Sequence, residues 1–204
     1  MEHDHPVVFV VDDDEAVCRS LSVLIEDIGL DVRTFTSARE FLAEYDPKQP
    51  GCLVLDVRMS GMSGLELQSR LKELGFEIPI IIITGHADVP MAVEAMKAGA
   101  LDFIEKPFRD QLLLDNIQKA IELDARMRRN RKESLDVQSR IQNLTRRERQ
   151  IMDLLVLGKT NKTIAYELGI SQKTVDFHRA NILDKAGVDS VVELLRLTQK
   201  AKLP

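Results

Sequence analysis

Along the first 125 residues, short runs of β-branched and aliphatic residues alternate with longer stretches of helical period. Strands are predicted at Val7–Val11, Val32–Phe35, Cys52–Leu55, Ile80–Thr84 and Ala100–Ile104. The first, third and fourth are apolar almost throughout, as central strands of a parallel sheet covered on both faces are. Helices are predicted near Asp14–Ile28, Ala38–Tyr45, Gly64–Leu74, Pro90–Ala98 and from Gln111 onward. Ser37-x-x-Glu40 and Ser63-x-x-Glu66 carry capping-box spacing, in which a hydroxyl and a carboxylate satisfy the first N–H groups of a helix. Five βα units in succession predict a doubly wound α/β domain.

From about Glu122 to Ile141 the chain turns polar and rich in arginine, without proline or glycine, which predicts a continuation of the fifth helix into a helical linker. Its apolar positions do not sustain a heptad, so a coiled coil gains little support. Beyond Asn143 no strand pattern occurs. Thr145-x-x-Glu148 starts a helix through about Leu157, Thr160–Leu168 forms a second, and Ser171 caps a third to about Ala186. A fourth runs from Ser190 to about Lys200, and together the four make a small all-α domain. The expected division is 1–125, 126–141 and 142–204.

Charge sharpens that division. Of a net -5, residues 1–125 hold 24 acidic and 11 basic side chains, and residues 126–204 hold 9 acidic and 17 basic. An acidic domain followed by a basic one points to a polyanionic partner for the C-terminal part. Much of the basic excess sits in Arg126, Arg128, Arg129, Arg131 and Lys132. No apolar run approaches the roughly 18–20 residues of a membrane span, and the acidic, polar N-terminus resembles neither a secretory signal nor a transit peptide. The two cysteines, Cys18 and Cys52, lie in apolar patterns and suit reduced core thiols in a cytoplasmic protein. His3 and His5 resemble a metal-binding tail only superficially.

Chemistry concentrates at strand ends. Asp12 and Asp13 follow the first strand, Asp56 ends the third, and Lys106 follows the fifth. A doubly wound sheet binds ligands at the carboxyl ends of its strands where the order reverses, which in a flavodoxin-like order lies between strands one and three. Crowded carboxylates repel, and a hard divalent cation, Mg²⁺, is the expected relief. The plainer reading is that Asp12–Asp14 cap the first helix. Asp56 and Lys106 at the matching strand ends weigh against that reading for the triplet, though Asp14 can still be a cap.

The segments FVVDDDEAV, LVLDVRMSGMSGLEL and IIIITGHADVPMAVEAMKAGALDFIEKPF resemble a response-regulator receiver domain across residues 6–125. The resemblance implies that Asp56 is the phosphoacceptor and that Asp12, Asp13, Asp56 and the backbone carbonyl of Arg58 form the Mg²⁺ site, with Asp12 acting through water. It further implies that Thr84 and Lys106 contact the phosphoryl oxygens, that Phe103 is the aromatic switch residue, and that the bond before Pro107 is cis. Without the pocket, Thr84 would read as a strand-end hydroxyl and Phe103 as a fixed core ring. Ser60 stands where the family usually has proline.

The stretch LTRRERQIMDLLVLGKTNKTIAYELGISQKTVDFHRANILDKAGVDS resembles the LuxR/FixJ-type helix-turn-helix. Ile164, Ala165, Leu168, Ile170 and Val175 are read as packing positions. Expected DNA-binding residues are Gln172, Lys173, Thr174, Asp176, His178, Arg179 and Asn181 on the recognition helix, with Asn161 and Lys162 reaching the backbone. Asp176 stands where relatives often carry a cation; accepting from cytosine, capping locally and excluding unwanted sequences are all open to it. His178 either donates to phosphate or packs half-buried against the scaffold helix.

The whole chain is thus similar to two-component response regulators of the FixJ-like subfamily. That implies phosphorylation by a sensor histidine kinase, dimerisation when phosphorylated, binding to promoter DNA and regulation, mostly activation, of transcription through RNA polymerase. A phosphatase working through an aspartyl phosphate is the enzymatic alternative, but Arg58 occupies the place of its second acid. A quorum-type sensor would need an apolar ligand cavity instead of an acidic crevice, and a phosphorelay adaptor leaves the basic C-terminal half without a use.

Overall fold

A computed structural model describes residues 5–200, which leaves His3 outside the described residues. The chain divides into two compact units, 1–127 and 128–204.

In the first unit five strands form one parallel sheet: β1 (Val7–Val11), β2 (Asp31–Phe35), β3 (Gly51–Asp56), β4 (Ile80–Thr84) and β5 (Asp102–Glu105). Their order is β2-β1-β3-β4-β5, so the reversal falls between β1 and β3, as expected of a flavodoxin-like sheet. β1, β3 and β4 are buried throughout, whereas the edge strands β2 and β5 are partly exposed.

Alternation along the central strands makes two cores. Phe9, Val11, Leu53, Leu55 and Ile82 pack with Phe41, Leu67 and Leu71, from the helices α2 (Ala38–Glu44) and α3 (Gly64–Glu73). Val8, Val10, Val54, Ile81 and Ile83 pack with Leu21 and Ile25 of α1 (Glu15–Glu26) and with Leu113 and Ile117 of α5 (Asp110–Gln142). The remaining helix, α4 (Val89–Ala98), ends at Gly99, whose φ of 103° is left-handed. Ala100 then donates back to the Ala95 carbonyl at 3.0 Å. That closure uses up Ala100 and delays β5 to Asp102, two residues later than the apolar run suggests.

The second unit contains α6 (Arg146–Val156), α7 (Asn161–Leu168), α8 (Gln172–Ala186) and α9 (Val191–Lys200). Thr145, Thr160 and Ser171 cap the first three, each accepting a backbone N–H three residues on. Its core of Ile151, Leu155, Ile164, Val175, Ile182 and Leu194 also takes Val137 and Ile141 from the end of α5. Leu135 is exposed, so the apolar residues of this stretch serve the local core instead of forming one seam.

Candidate functional site

The ends of β1, β3 and β5 bring together the side chains that the sequence singles out. Lys106 Nζ donates to Asp12 Oδ2 at 2.6 Å and to Asp56 Oδ1 at 2.8 Å, and both carboxylates are buried. The second oxygen of Asp56 accepts the Arg58 N–H at 2.7 Å. Lys106 N also donates to the Thr84 carbonyl at 2.7 Å, tying the lysine's backbone to the end of β4, and the Lys106–Pro107 bond is cis.

Three consecutive aspartates have three different partners. Asp12 faces Lys106, Asp13 is exposed and accepts the Ser60 N–H at 2.8 Å, and Asp14 is the N-cap of α1, accepting from Ala16 N at 2.8 Å. The capping and pocket readings therefore coexist on different residues. Ser60 also acquires a role: a proline at this place would have no N–H to offer Asp13.

Two further features shape the pocket. Thr84 is fully buried, its Oγ1 accepting the His86 N–H at 3.3 Å, and Phe103 is half-buried against the core that includes Ala95. Gly64, at the start of α3, has no room for a side chain: a Cβ there would lie 2.2 Å from the Asp56 carbonyl oxygen. The sequence marked Gly64 only as a helix start, because close approach of two backbone segments leaves no local pattern.

Burial pushes the Asp56 carboxyl up from its ordinary range, and neighbouring Asp12 adds to this, against the lowering effect of Lys106. For Lys106 burial works against the charge, but hydrogen bonds to both carboxylates outweigh it and the ammonium is held more firmly. One lysine thus serves two buried carboxylates, with exposed Asp13 beside them. Among the described residues no three acidic, histidine or cysteine side chains are already gathered at metal-binding spacing. The donors are nonetheless all hard oxygens with more negative charge than Lys106 offsets, which fits a hard divalent cation. Neither thiol is activated: burial pushes Cys18 up and Cys52 up to about 12, and Cys18 Sγ donates to the Asp12 carbonyl at 3.3 Å.

In the second unit the expected DNA-binding residues lie along α8 and at the start of α7. Gln172, Lys173 and Asp176 are exposed, as is Lys162, while Thr174, His178, Arg179 and Asn181 are half-buried. Asn161 Nδ2 donates to Asp176 Oδ1 at 2.5 Å, so the acidic side chain ties α7 to α8. His178 Nδ1 is buried without a hydrogen-bond partner among the described residues, which places that edge of the ring toward the scaffold. Behind this face, Glu148 is buried, accepting the Thr145 N–H at 2.8 Å and Lys185 Nζ at 3.0 and 2.8 Å. Arg147 caps the other end of α7 through the Leu168 carbonyl, at 2.8 Å. These contacts build the scaffold and leave the outer face of α8 clear.

Residues 8–118 match the response regulator receiver domain, and residues 142–198 match the bacterial regulatory proteins of the luxR family. The chain belongs to the response regulators. The response regulator protein TmoT of Ectopseudomonas mendocina is 46% identical over 202 residues, covering 99% of this chain and 92% of that protein. The transcriptional regulatory protein FixJ of Rhizobium meliloti is 46% identical over 190 residues, covering 93% of each. The solved structure of the response regulator StyR is 47% identical, with a TM-score of 0.83 over 96% of this chain and 99% of that one. As a response regulator with a LuxR-type DNA-binding domain, the protein is a two-component regulator of transcription. A receiver domain implies a sensor kinase as partner, and the luxR-family domain implies DNA. Among the described residues no helix is long and apolar enough to cross a membrane.

Proposed function

We propose that Asp56 accepts a phosphoryl group from a sensor histidine kinase and that the acyl phosphate promotes dimerisation and promoter binding. The observation that carries this reading is the buried meeting of Asp12, Asp56 and Lys106 at the ends of β1, β3 and β5. An Asp56 carboxylate oxygen attacks the phosphorus of the kinase phosphohistidine in line. The P–O bond of the acyl phosphate forms as the P–N bond breaks and the imidazole leaves, while Lys106 balances charge on the phosphoryl oxygens. Asp12, Asp13 and Asp56, with the Arg58 carbonyl, would hold Mg²⁺. When bound, the ion neutralises the acidic cluster and the transferring group.

Phosphorylation adds about -1.5 to -2 charge at pH 7 and three acceptor oxygens. Thr84 donates its hydroxyl to one of them, and Phe103, half-buried on the neighbouring strand β5, turns into the space released. The group is lost slowly to water, so the protein is a switch and not a turnover enzyme. Residues 1–125 receive the signal, 126–141 link, and 142–204 bind DNA through Gln172, Lys173, Thr174, Asp176, His178, Arg179 and Asn181, with Asn161 and Lys162 at the backbone. The protein acts in the cytoplasm and activates transcription with RNA polymerase.

The test is acetyl phosphate and Mg²⁺ applied to wild type and Asp56→Asn, read by intact mass, light scattering and DNA binding. Wild type should gain one phosphoryl group, dimerise and bind DNA more tightly; Asp56→Asn should do none of these. Dimerisation of the variant at wild-type level would overturn the mechanism.

A further inference from the structure

A large apolar side chain stands on the outer face of α8, unused by the packing. Phe177 is 64% exposed, whereas Val175 and Ile182 of the same helix are fully buried. At 3.6 residues per turn Lys173, Phe177, Ala180 and Asp184 form one stripe opposite those core positions. Lys173 and Phe177 on that stripe are exposed. The ring therefore occupies the middle of the surface that faces a ligand laid along the helix. Its only ring contact among the described residues is with neighbouring His178, at 5.7 Å between centroids. Exposure alone does not single the ring out, since Tyr166 and Leu157 are more exposed; its place does, because it stands at the centre of the outer face of α8.

Charge around the ring selects that occupant. Lys173 on the same stripe and Lys162 on α7 are exposed cations; of the acids, Asp176 is engaged by Asn161, and exposed Asp184 lies two turns beyond the ring. Cations flanking a central hydrocarbon patch suit a duplex groove, with phosphates on its rims and base edges at its floor. In the major groove the one apolar group on any base edge is the 5-methyl of thymine. Ala180, one turn further along, has only a methyl and leaves the ring free to reach it.

We propose that Phe177 is a specificity-determining residue that reads a thymine by packing against its 5-methyl group. The inference rests on the DNA-binding reading of α8 given above and adds the base class that this face selects. Lys173 then positions the helix on the sugar–phosphate backbone, and Phe177 contributes discrimination where no hydrogen bond is made.

The test uses the full-length, acetyl-phosphate-treated protein. A binding site is selected from random duplex DNA, and each thymine in it is replaced singly by deoxyuridine, which removes only the methyl. Wild type should lose about fourfold in affinity at one or more thymines, the value of one buried methyl. Phe177→Ala should bind the selected site about tenfold more weakly and show no uracil effect at those thymines. An unchanged far-UV circular dichroism melt would show that the variant is folded, as expected for an exposed position. A flat uracil scan on an enriched sequence, or the same scan in both proteins, overturns the proposal while leaving DNA binding intact. Wild-type DNA affinity for Phe177→Ala with lost promoter output also overturns it, since the ring would then meet a protein. Failure to enrich any sequence overturns the proposal together with the DNA-binding reading beneath it.

Discussion

Asp56 and Glu148 are 5% and 3% exposed, and each meets a lysine at 2.8 Å, yet their surroundings push their ionisation in opposite directions. Burial dominates at Asp56 and raises its pKa. Burial also raises that of Glu148, but Lys185 and both donors of Thr145 reverse the effect, and the net shift is downward. The difference lies in how many donors each carboxylate keeps to itself. Glu148 has a whole ammonium and a capping box, whereas Asp56 divides its ammonium with Asp12. A satisfied carboxylate holds a scaffold. One left short of positive charge is suited to receive a cation or to be modified.

Removing the shared ammonium should produce the largest effect. Lys106→Met leaves two buried carboxylates facing one another and deletes a charge from the transfer site. Phosphorylation by acetyl phosphate, followed by intact mass, should slow by about a hundredfold or more. A wild-type rate would mean that the pocket is no more dependent on its lysine than the scaffold pair is. Glu148→Ala should leave that rate unchanged and destabilise the second unit by about 1–3 kcal/mol, since Lys185 loses its partner and α6 its capping box. Hydrogen exchange of α6–α8 amides in the full chain measures this.

The same pair carries a pH signature. Because the folded pKa of Glu148 is lowered, its contribution is present above the unfolded value of about 4.3. It is lost as pH falls from there through the folded pKa. Exchange protection of α6–α8 should therefore weaken in acid below about pH 4.3, and Glu148→Gln should flatten that dependence.

A loss of the same order, in the other unit, is expected at Gly64→Ala, where the new Cβ meets the Asp56 carbonyl oxygen. The receiver should lose about 1–3 kcal/mol in thermal unfolding, with slower phosphorylation and undisturbed α6–α8. Smallest of all is Arg19→Ala. Its pair with Glu15 has side chains 70% and 73% exposed, so stability should change by no more than about 0.5 kcal/mol. A larger change would undermine burial as the basis of the contrast.

Much of this was legible in the sequence because it depends on local order. Strand runs, caps and strand-end acids repeat at fixed spacing, and the helices predicted from Ser37, Ser63, Thr145 and Ser171 start where those hydroxyls cap. What escaped the pattern depends on segments distant in sequence. Asn161 meets Asp176 only across the turn between α7 and α8, and Val137 and Ile141 find a core made by later helices. Phe177 went unmarked for another reason: an apolar residue in a helix stands out only once the opposite face proves to be filled by Val175 and Ile182.

The run Asp12–Asp14 has a consequence for how the chain tolerates change over generations. Asp14 is a cap, so serine, threonine or asparagine should drift into that place at little cost. Asp13 is exposed and bonds the Ser60 amide, so beyond the proposed Mg²⁺ its neighbourhood constrains it mainly through Ser60. Asp12 is buried against Lys106 in the pocket itself, so any substitute must fit that space and changes how Lys106 is divided with Asp56. Three identical neighbours are thereby placed on a gradient, from freely exchangeable to fixed, along a single turn of chain.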